Sequence, residues 1–324
     1  VKNSESLTNL ITNKMRKLKF DLQVDPTALL AANPEAFYSA AYLTSDVPDN
    51  FRTLPGVKYQ TKLGTVLFGN VLQSSTCAWP TPGSTDDLSA ELIDVCAVSA
   101  MAQICQFDLE QSFVSLQMTK GSNSDFSVAS FMNFYWETMA KHVAQDIENI
   151  RWKGDTTSLN PTLALCDGYE KKLAAAVGPG GVINGGTGAI TTFTGLSAAL
   201  STAFALLPAA VASNTADLRF YLPTQLVNIY RLGVAAGNTN AYITQDLSLT
   251  YLGIKIVQCQ GMSNDTFVMT LRDNLIYAFD AEGDSSDLRA VNLRDTVAEP
   301  YIRTRADMKI GFHFVNPTEI VFYQ

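Results

Sequence analysis

The stretch Phe126–Asp155, FSVASFMNFYWETMAKHVAQDIENIRWKGD, decides the architecture. Its apolar side chains fall at 128, 131, 135, 139, 143, 147 and 150, spacings of three and four that put them on one side of a helix. The spacing predicts an amphipathic helix over 126–151, about seven turns and ~39 Å long. Ser124 or Asp125 can cap its start, and Gly154 lies just past its end. Such a helix is either an ordinary core helix or a backbone on which sheets rest, and the stripe by itself does not separate the two.

Downstream the character turns to α/β. Leu163 to Val177 reads as a helix, and Leu196 to Leu207 as an Ala-rich helix that Pro208 ends or kinks. The glycines of 178–181 and 184–188 read as a mobile loop. Strands are predicted at Leu218–Leu222, Ile254–Val257, Thr266–Thr270 and Leu275–Phe279. The acidic turn Asp280–Asp287 separates them from a final strand pair, Tyr301–Phe314 and Glu319–Tyr323.

Upstream, the first fifty or so residues hold one short amphipathic stretch (Leu7, Leu10, Ile11, Met15, Leu18), and Pro26, Pro34, Pro48 and Pro55 forbid a long helix. This reads as an extended arm with too little core to stand alone. Val57–Leu63 alternates apolar and polar residues, and a second strand-like run covers Thr65–Phe68 and Val71–Leu72, with Gly64 and Gly69 as turn or bulge signals. Pro80, Pro82 and Gly83 close the segment. A two-stranded excursion of this kind is marginal in water without neighbours. Residues 91–105 are apolar, and Phe107–Met118 reads as a short helix.

The 324 residues suffice for two domains. Hydrophobic residues make up 47% and charged residues 17%, against roughly 25% charged in ordinary soluble domains. The apolar surplus needs burial, and a subunit interface is the simple place. A membrane is not: the most apolar run, Leu196–Val211, contains Pro208 and is shorter than the ~20 residues a spanning helix needs. No secretory signal is expected. The net charge of -8 argues against sequence-specific DNA binding; the one basic cluster, Lys14, Arg16, Lys17 and Lys19, is a solvated part of the arm or a contact for an acidic partner. The five cysteines form no C-x-x-C pair and are odd in number, so neither a metal site nor a disulfide scaffold is expected. Cys96 and Cys105 read as small core residues, and a reducing cytoplasm as the place of synthesis.

No catalytic, cofactor-binding or metal-binding residue is nominated. Only two histidines occur: His142 on the long helix, and His313 between Phe312 and Phe314 in a strand. No G-x-S-x-G elbow presents a nucleophile, and the glycine run lacks the Lys-Ser/Thr ending that grips phosphate. Carboxylate pairs such as Asp86–Asp87 and Asp284/Asp287 sit in polar turns. The chain is expected not to be an enzyme.

The order of parts carries a resemblance. Phe107–Phe113 (FDLEQSF) resembles a short acidic-aromatic helix before a spine, Asp146–Asp155 (DIENIRWKGD) a spine's end, and Leu163–Tyr169 (LALCDGY) the following helix start. Arg219–Leu226 (RFYLPTQL), Leu252–Val257 (LGIKIV) and Asp273–Leu275 (DNL) resemble strands of the next domain. In this order the motifs resemble the tailed-phage major capsid proteins of the Hong Kong 97 type over residues 55–324, and particularly those of phages infecting Bacteroidetes and their crAss-like relatives. Encapsulin compartments share that fold and are the alternative reading.

The resemblance implies an α+β fold with an N-terminal arm (1–55), an extended β-hairpin E-loop (56–90), a peripheral domain with a long spine helix (91–155 and 292–324) and an α/β axial domain (156–291). It implies subunits that join as hexamers and pentamers into an icosahedral shell assembled in the host cytoplasm, with the virion as destination. The implied partners are scaffold, portal and cement or decoration proteins, and DNA packaged without sequence specificity. It also implies an N-terminal trimming protease. The start at Val1 agrees with trimming or with loss of Met. Phe51, Val66, Leu67, Phe68, Val71, Leu72 and Trp79 are the candidates for intersubunit contact, their alternative being a small local core. Lys62 lies where some relatives crosslink Lys to Asn, but no matching acceptor context accompanies it.

Overall fold

The computed structural model describes residues 47–67, 87–105, 128–237, 249–280, 288–293, 297 and 299–324. The arm up to residue 46, the expected helix Phe107–Met118 and residues 281–287 of the acidic turn lie outside them.

The predicted long helix is present as α1, Val128–Lys153. Gly154 stops it, its N–H donating to Ile150 O at 2.9 Å. Ala140, Ala144, Ile147, Ile150, Arg151 and Trp152 are buried, whereas Met139 and Val143 are half-buried. The packed face is therefore rotated slightly from the predicted stripe and joins the core shared with a first sheet.

That first sheet is built around a 14-residue strand, β12 (Tyr301–Phe314). One edge of β12 pairs antiparallel with β4 (Cys96–Cys105), from Tyr301↔Cys105 to Ile310↔Cys96. Its other edge takes two partners in succession, β11 (Leu288–Asn292) and β10 (Leu275–Phe279), and β1 (Arg52–Pro55) adds in parallel to β10. Ile302, Thr304, Ala306, Met308 and Ile310 face the core while Arg303 and Arg305 face out, the period-two signature of a sheet with one wet side.

The second sheet has the order β5-β13-β9-β6-β8-β7, with β5 at Ile183–Gly186, β6 at Leu218–Pro223, β7 at Thr250–Tyr251, β8 at Ile254–Cys259, β9 at Phe267–Leu271 and β13 at Val321–Tyr323. Both of its faces are covered, so its strands read as nearly continuous apolar runs. Phe220, Ile256, Phe267 and Met269 point into a core beneath α3 (Phe193–Leu206) and α4 (Thr224–Gly237). Tyr221, Val257, Val268 and Phe322 join the opposite core, shared with α1, α2 (Tyr169–Ala176) and the first sheet.

Several expectations are corrected. Leu163–Val177 is not one helix: a 3-10 turn at Leu163–Leu165 precedes α2, separated by Cys166-Asp167-Gly168. Gly168 packs where a Cβ would lie 2.5 Å from Ile150 O, so the chain crosses the end of α1 there instead of continuing as a helix. Part of the expected mobile loop is strand β5, held in register by β13. Tyr301–Phe314 and the C-terminal strand are not partners; a 3-10 turn, Pro317–Glu319, carries the chain from one sheet to the other. Cys96 and Cys166 form a disulfide, closing a loop of 70 residues with Cα atoms 5.8 Å apart. Spacing could not show it, because the pair is made where β4 meets the Leu163–Leu165 turn. Helix α4, which the sequence pattern did not predict, buries Leu226, Val227 and Tyr230.

Candidate assembly surfaces

The most unusual element is the two-stranded ribbon of β2 (Gln60–Leu67) and β3 (Asp87–Asp94), paired from Gln60↔Asp94 to Leu67↔Asp87. Among the described residues neither strand pairs with any other. The ladder spans eight residues, about 27 Å at ~3.4 Å per residue. Its base is anchored: Ile93 is fully buried and Leu63 half-buried against Val57, Ile276 and Ala278. Thr61, Lys62, Gly64 and Leu92 are exposed, and Tyr59, just before the ribbon, is 79% exposed. The sequence predicts strands at 57–63 and 65–72 as the hairpin; instead β2 runs straight through Gly64 and its partner comes from 87–94. Val66 and Leu67 stand in the outer register positions of β2, opposite Leu88 and Asp87. Phe68, Val71, Leu72 and Trp79 lie outside the described residues.

Phe51 sits elsewhere. It is 4% exposed and fills the subunit's own core, its ring 5.2 Å from Tyr221, 6.1 Å from Tyr169 and 6.2 Å from Trp152. Above that ring lies the guanidinium of Arg151, 5.2 Å from Phe51 and 4.9 Å from Tyr277 on its other side. Arg151 is buried to 2% exposure and pairs with Glu148, which also accepts from Trp152 Nε1 at 3.2 Å. Burial by itself lowers the Arg151 pKa, but Glu148, Tyr277 and Tyr169 outweigh it and hold the charge in place. Burial pushes the phenols of Tyr169, Tyr221 and Tyr277 up, so all three remain neutral. Tyr169 donates to Ile276 O at 2.6 Å and Tyr221 to Asn50 O, while Lys255 Nζ reaches Asn50 Oδ1 at 3.2 Å. One charged centre thus ties Asn50 and Phe51 to α1 and to both sheets.

Beside it, residues 155–167 make a closed loop. Gly168 N donates to Gly154 O at 2.8 Å, and a Cβ on Gly154 would lie 2.2 Å from Cys166 O, so only glycine allows the crossing. Lys171 Nζ bridges Asp155 and Asp167 at 2.7 Å each. Its hydrogen bond, with those from Thr157, draws the Asp155 pKa down to about 2. The Asp167 carboxyl is raised by burial, yet Lys171 and Thr156 carry the balance downward. The pattern W-x-G-D followed by C-D-G is therefore a packing device: Trp152 in the hub, two glycines back to back, two aspartates on one lysine. From this rigid base the loop exposes Leu159 completely and Leu165 to 45%.

His142 is exposed on α1, and His313 is half-buried on β12 with Nδ1 against its neighbour's backbone. Among the described residues no group of three or more His, Cys, Asp and Glu is placed to hold a metal, and no helix is long and apolar enough to cross a membrane. The glycine turn of 178–181 borders a cleft of about 530 Å3 at the β5 edge of the second sheet, lined by Val177, Val182, Ile183, Asn184 and Thr318.

No protein-family model and no curated protein matches the chain. Solved structures do. A chain of the satellite phage P4 procapsid that includes the size determination (Sid) protein aligns with a TM-score of 0.55 and 13% identity, over 89% of this chain and 96% of that one. The capsid of an empty GTA particle gives 0.57 and 14% over 88% and 90%, and a Gordonia phage Cozz chain gives 0.54 and 11% over 87% and 86%. At such identities the likeness is one of fold: the chain has the Hong Kong 97-type capsid fold.

Proposed function

We propose that this chain is the major capsid protein of a tailed bacteriophage, a structural subunit that joins as hexamers and pentamers into an icosahedral shell around double-stranded DNA. The β2–β3 ribbon carries the reading. A two-stranded ribbon that pairs with no further strand among the described residues is marginal in water and gains stability by lying on another copy. The apolar surplus of the composition agrees with this, at 47% hydrophobic against 17% charged. Val66 and Leu67 on β2, with Phe68, Val71, Leu72 and Trp79 beyond it, are the proposed intersubunit contacts. Phe51 is instead assigned to the subunit's own core.

In the proposed organisation 1–55 is the arm, 56–90 the E-loop, 91–155 with 292–324 the peripheral domain and 156–291 the axial domain. The two sheets cross these limits, since β10 lies in the first sheet and β13 in the second. The net charge of -8 suits a container whose inner wall holds DNA weakly. Scaffold, portal and cement proteins are the proposed partners, assembly takes place in the host cytoplasm, and the virion is the destination. The test is negative-stain electron microscopy after size-exclusion chromatography, with and without the neighbouring genes co-expressed. Shells, tubes or rings of capsomers are expected; a featureless monomer under both conditions would refute the proposal.

A further inference from the structure

The turn joining β7 to β8 is a two-residue hairpin, Leu252-Gly253, closed by the pairs Tyr251↔Ile254 and Thr250↔Lys255. Both central residues have positive φ, +50° at Leu252 and +81° at Gly253. This turn type favours Asn-Gly or Asp-Gly, because a side chain branching beyond Cβ gains nothing from the left-handed region and pays sterically for it. Leu252 is the only non-glycine residue with positive φ among the described residues, and it is 62% exposed. A leucine here is disfavoured twice, by its backbone and by water. The turn is also held stiffly from behind. Tyr251 Oη lies 3.0 Å from Ser197 Oγ and 2.7 Å from Ser201 Oγ on α3, and Tyr230 Oη donates to Thr250 O at 2.5 Å.

The second sheet begins at β5 and ends at β7. Its far edge, five strand spacings or about 24 Å away, carries the apolar cleft lined by Val177, Val182, Ile183, Asn184 and Thr318. A projecting leucine at one edge and an apolar recess at the other are the two halves of a heterologous contact, which repeats around a ring.

Resting on the capsid reading above, we propose that Leu252 of one copy inserts into the Val177–Ile183/Thr318 cleft of the next, and that this knob and recess closes the capsomer ring. Leu252→Asn removes the knob while keeping a residue that tolerates the turn; Leu252→Gly is the second variant should the first fold poorly. Thr318→Trp fills the recess from an exposed position. In the full-length chain each should leave the melting temperature of dissociated subunits unchanged or higher, yet raise the concentration needed for assembly about tenfold or more, the loss expected when one buried leucine leaves a contact.

Mixing the two variants is the sharper experiment. The Thr318→Trp copy keeps its knob and the Leu252→Asn copy keeps its recess, so the mixture should give pairs by analytical ultracentrifugation but no rings. Wild type that assembles while both variants assemble at the same concentration would overturn the knob-and-recess contact and leave the capsid reading standing. Wild type that never assembles, even with its neighbouring genes, would overturn the capsid reading and this contact together.

Discussion

Arg151 holds a full charge with 2% of its side chain exposed, so everything around it must be arranged for that charge. Glu148 neutralises it, and the faces of Phe51 and Tyr277 enclose it. Removing one partner of a buried pair leaves the other uncompensated, which costs about 3–5 kcal/mol. Arg151→Ala should lower stability by that amount in urea denaturation. Arg151→Lys should recover only a small part, because an ammonium lacks the planar fork that stacks between two rings. Full recovery by lysine would show that charge alone matters at this site.

At the scale of elements, the 155–167 loop combines a disulfide with a charge cluster. Closing 70 residues of chain is worth about 4 kcal/mol if the effect acts through the unfolded state. Reductant should therefore move the urea midpoint of the isolated subunit down, and an unchanged midpoint would mean that Cys96 and Cys166 are not joined in solution. The acid behaviour of the loop follows from Asp155, whose folded pKa lies near 2 against an ordinary 3.8. A depressed carboxyl stabilises the fold above its unfolded pKa and loses that contribution as pH falls through the folded one. The Thr157 amide, which donates to Asp155 at 2.8 Å, should keep its hydrogen-exchange protection down to about pH 4 and lose it toward pH 2. Lys171 is raised, so its side of the cluster persists above its ordinary 10.5 and fails only at still higher pH. Protection that disappears well above pH 4 would place the loop's order elsewhere.

For the whole molecule, the ribbon and the shell are one question. Val66→Asp combined with Phe68→Asp should leave helix content and subunit melting close to wild type while abolishing shells, giving soluble capsomers or monomers by size-exclusion chromatography and microscopy. Intact shells from that variant would show that the ribbon is not the element joining copies. Deleting residues 1–46 should likewise block closure. The cut must stop there, since Asn50 and Phe51 already belong to the subunit's core.

How far the chain could be read by itself depends on whether a feature is local. The stripe in 126–151, the alternation in Tyr301–Phe314 and the apolar runs of the second sheet's strands are local patterns, because each residue's face is fixed by helical or strand geometry. The sequence determined these elements, and the order of its motifs pointed to the capsid fold. Helix α4 is equally local, with Leu226, Val227, Tyr230 and Val234 at spacings of one to four, but Pro223 immediately before it reads as the turn that closes a strand. What only the tertiary structure decided is who meets whom across the chain. It pairs β2 with 87–94, sends the C-terminal strand to the second sheet, joins Cys96 to Cys166, and puts Phe51 against Arg151. These contacts link residues 20 to 138 positions apart, and spacing says nothing about them because the free energy that selects them comes from burying both partners at once.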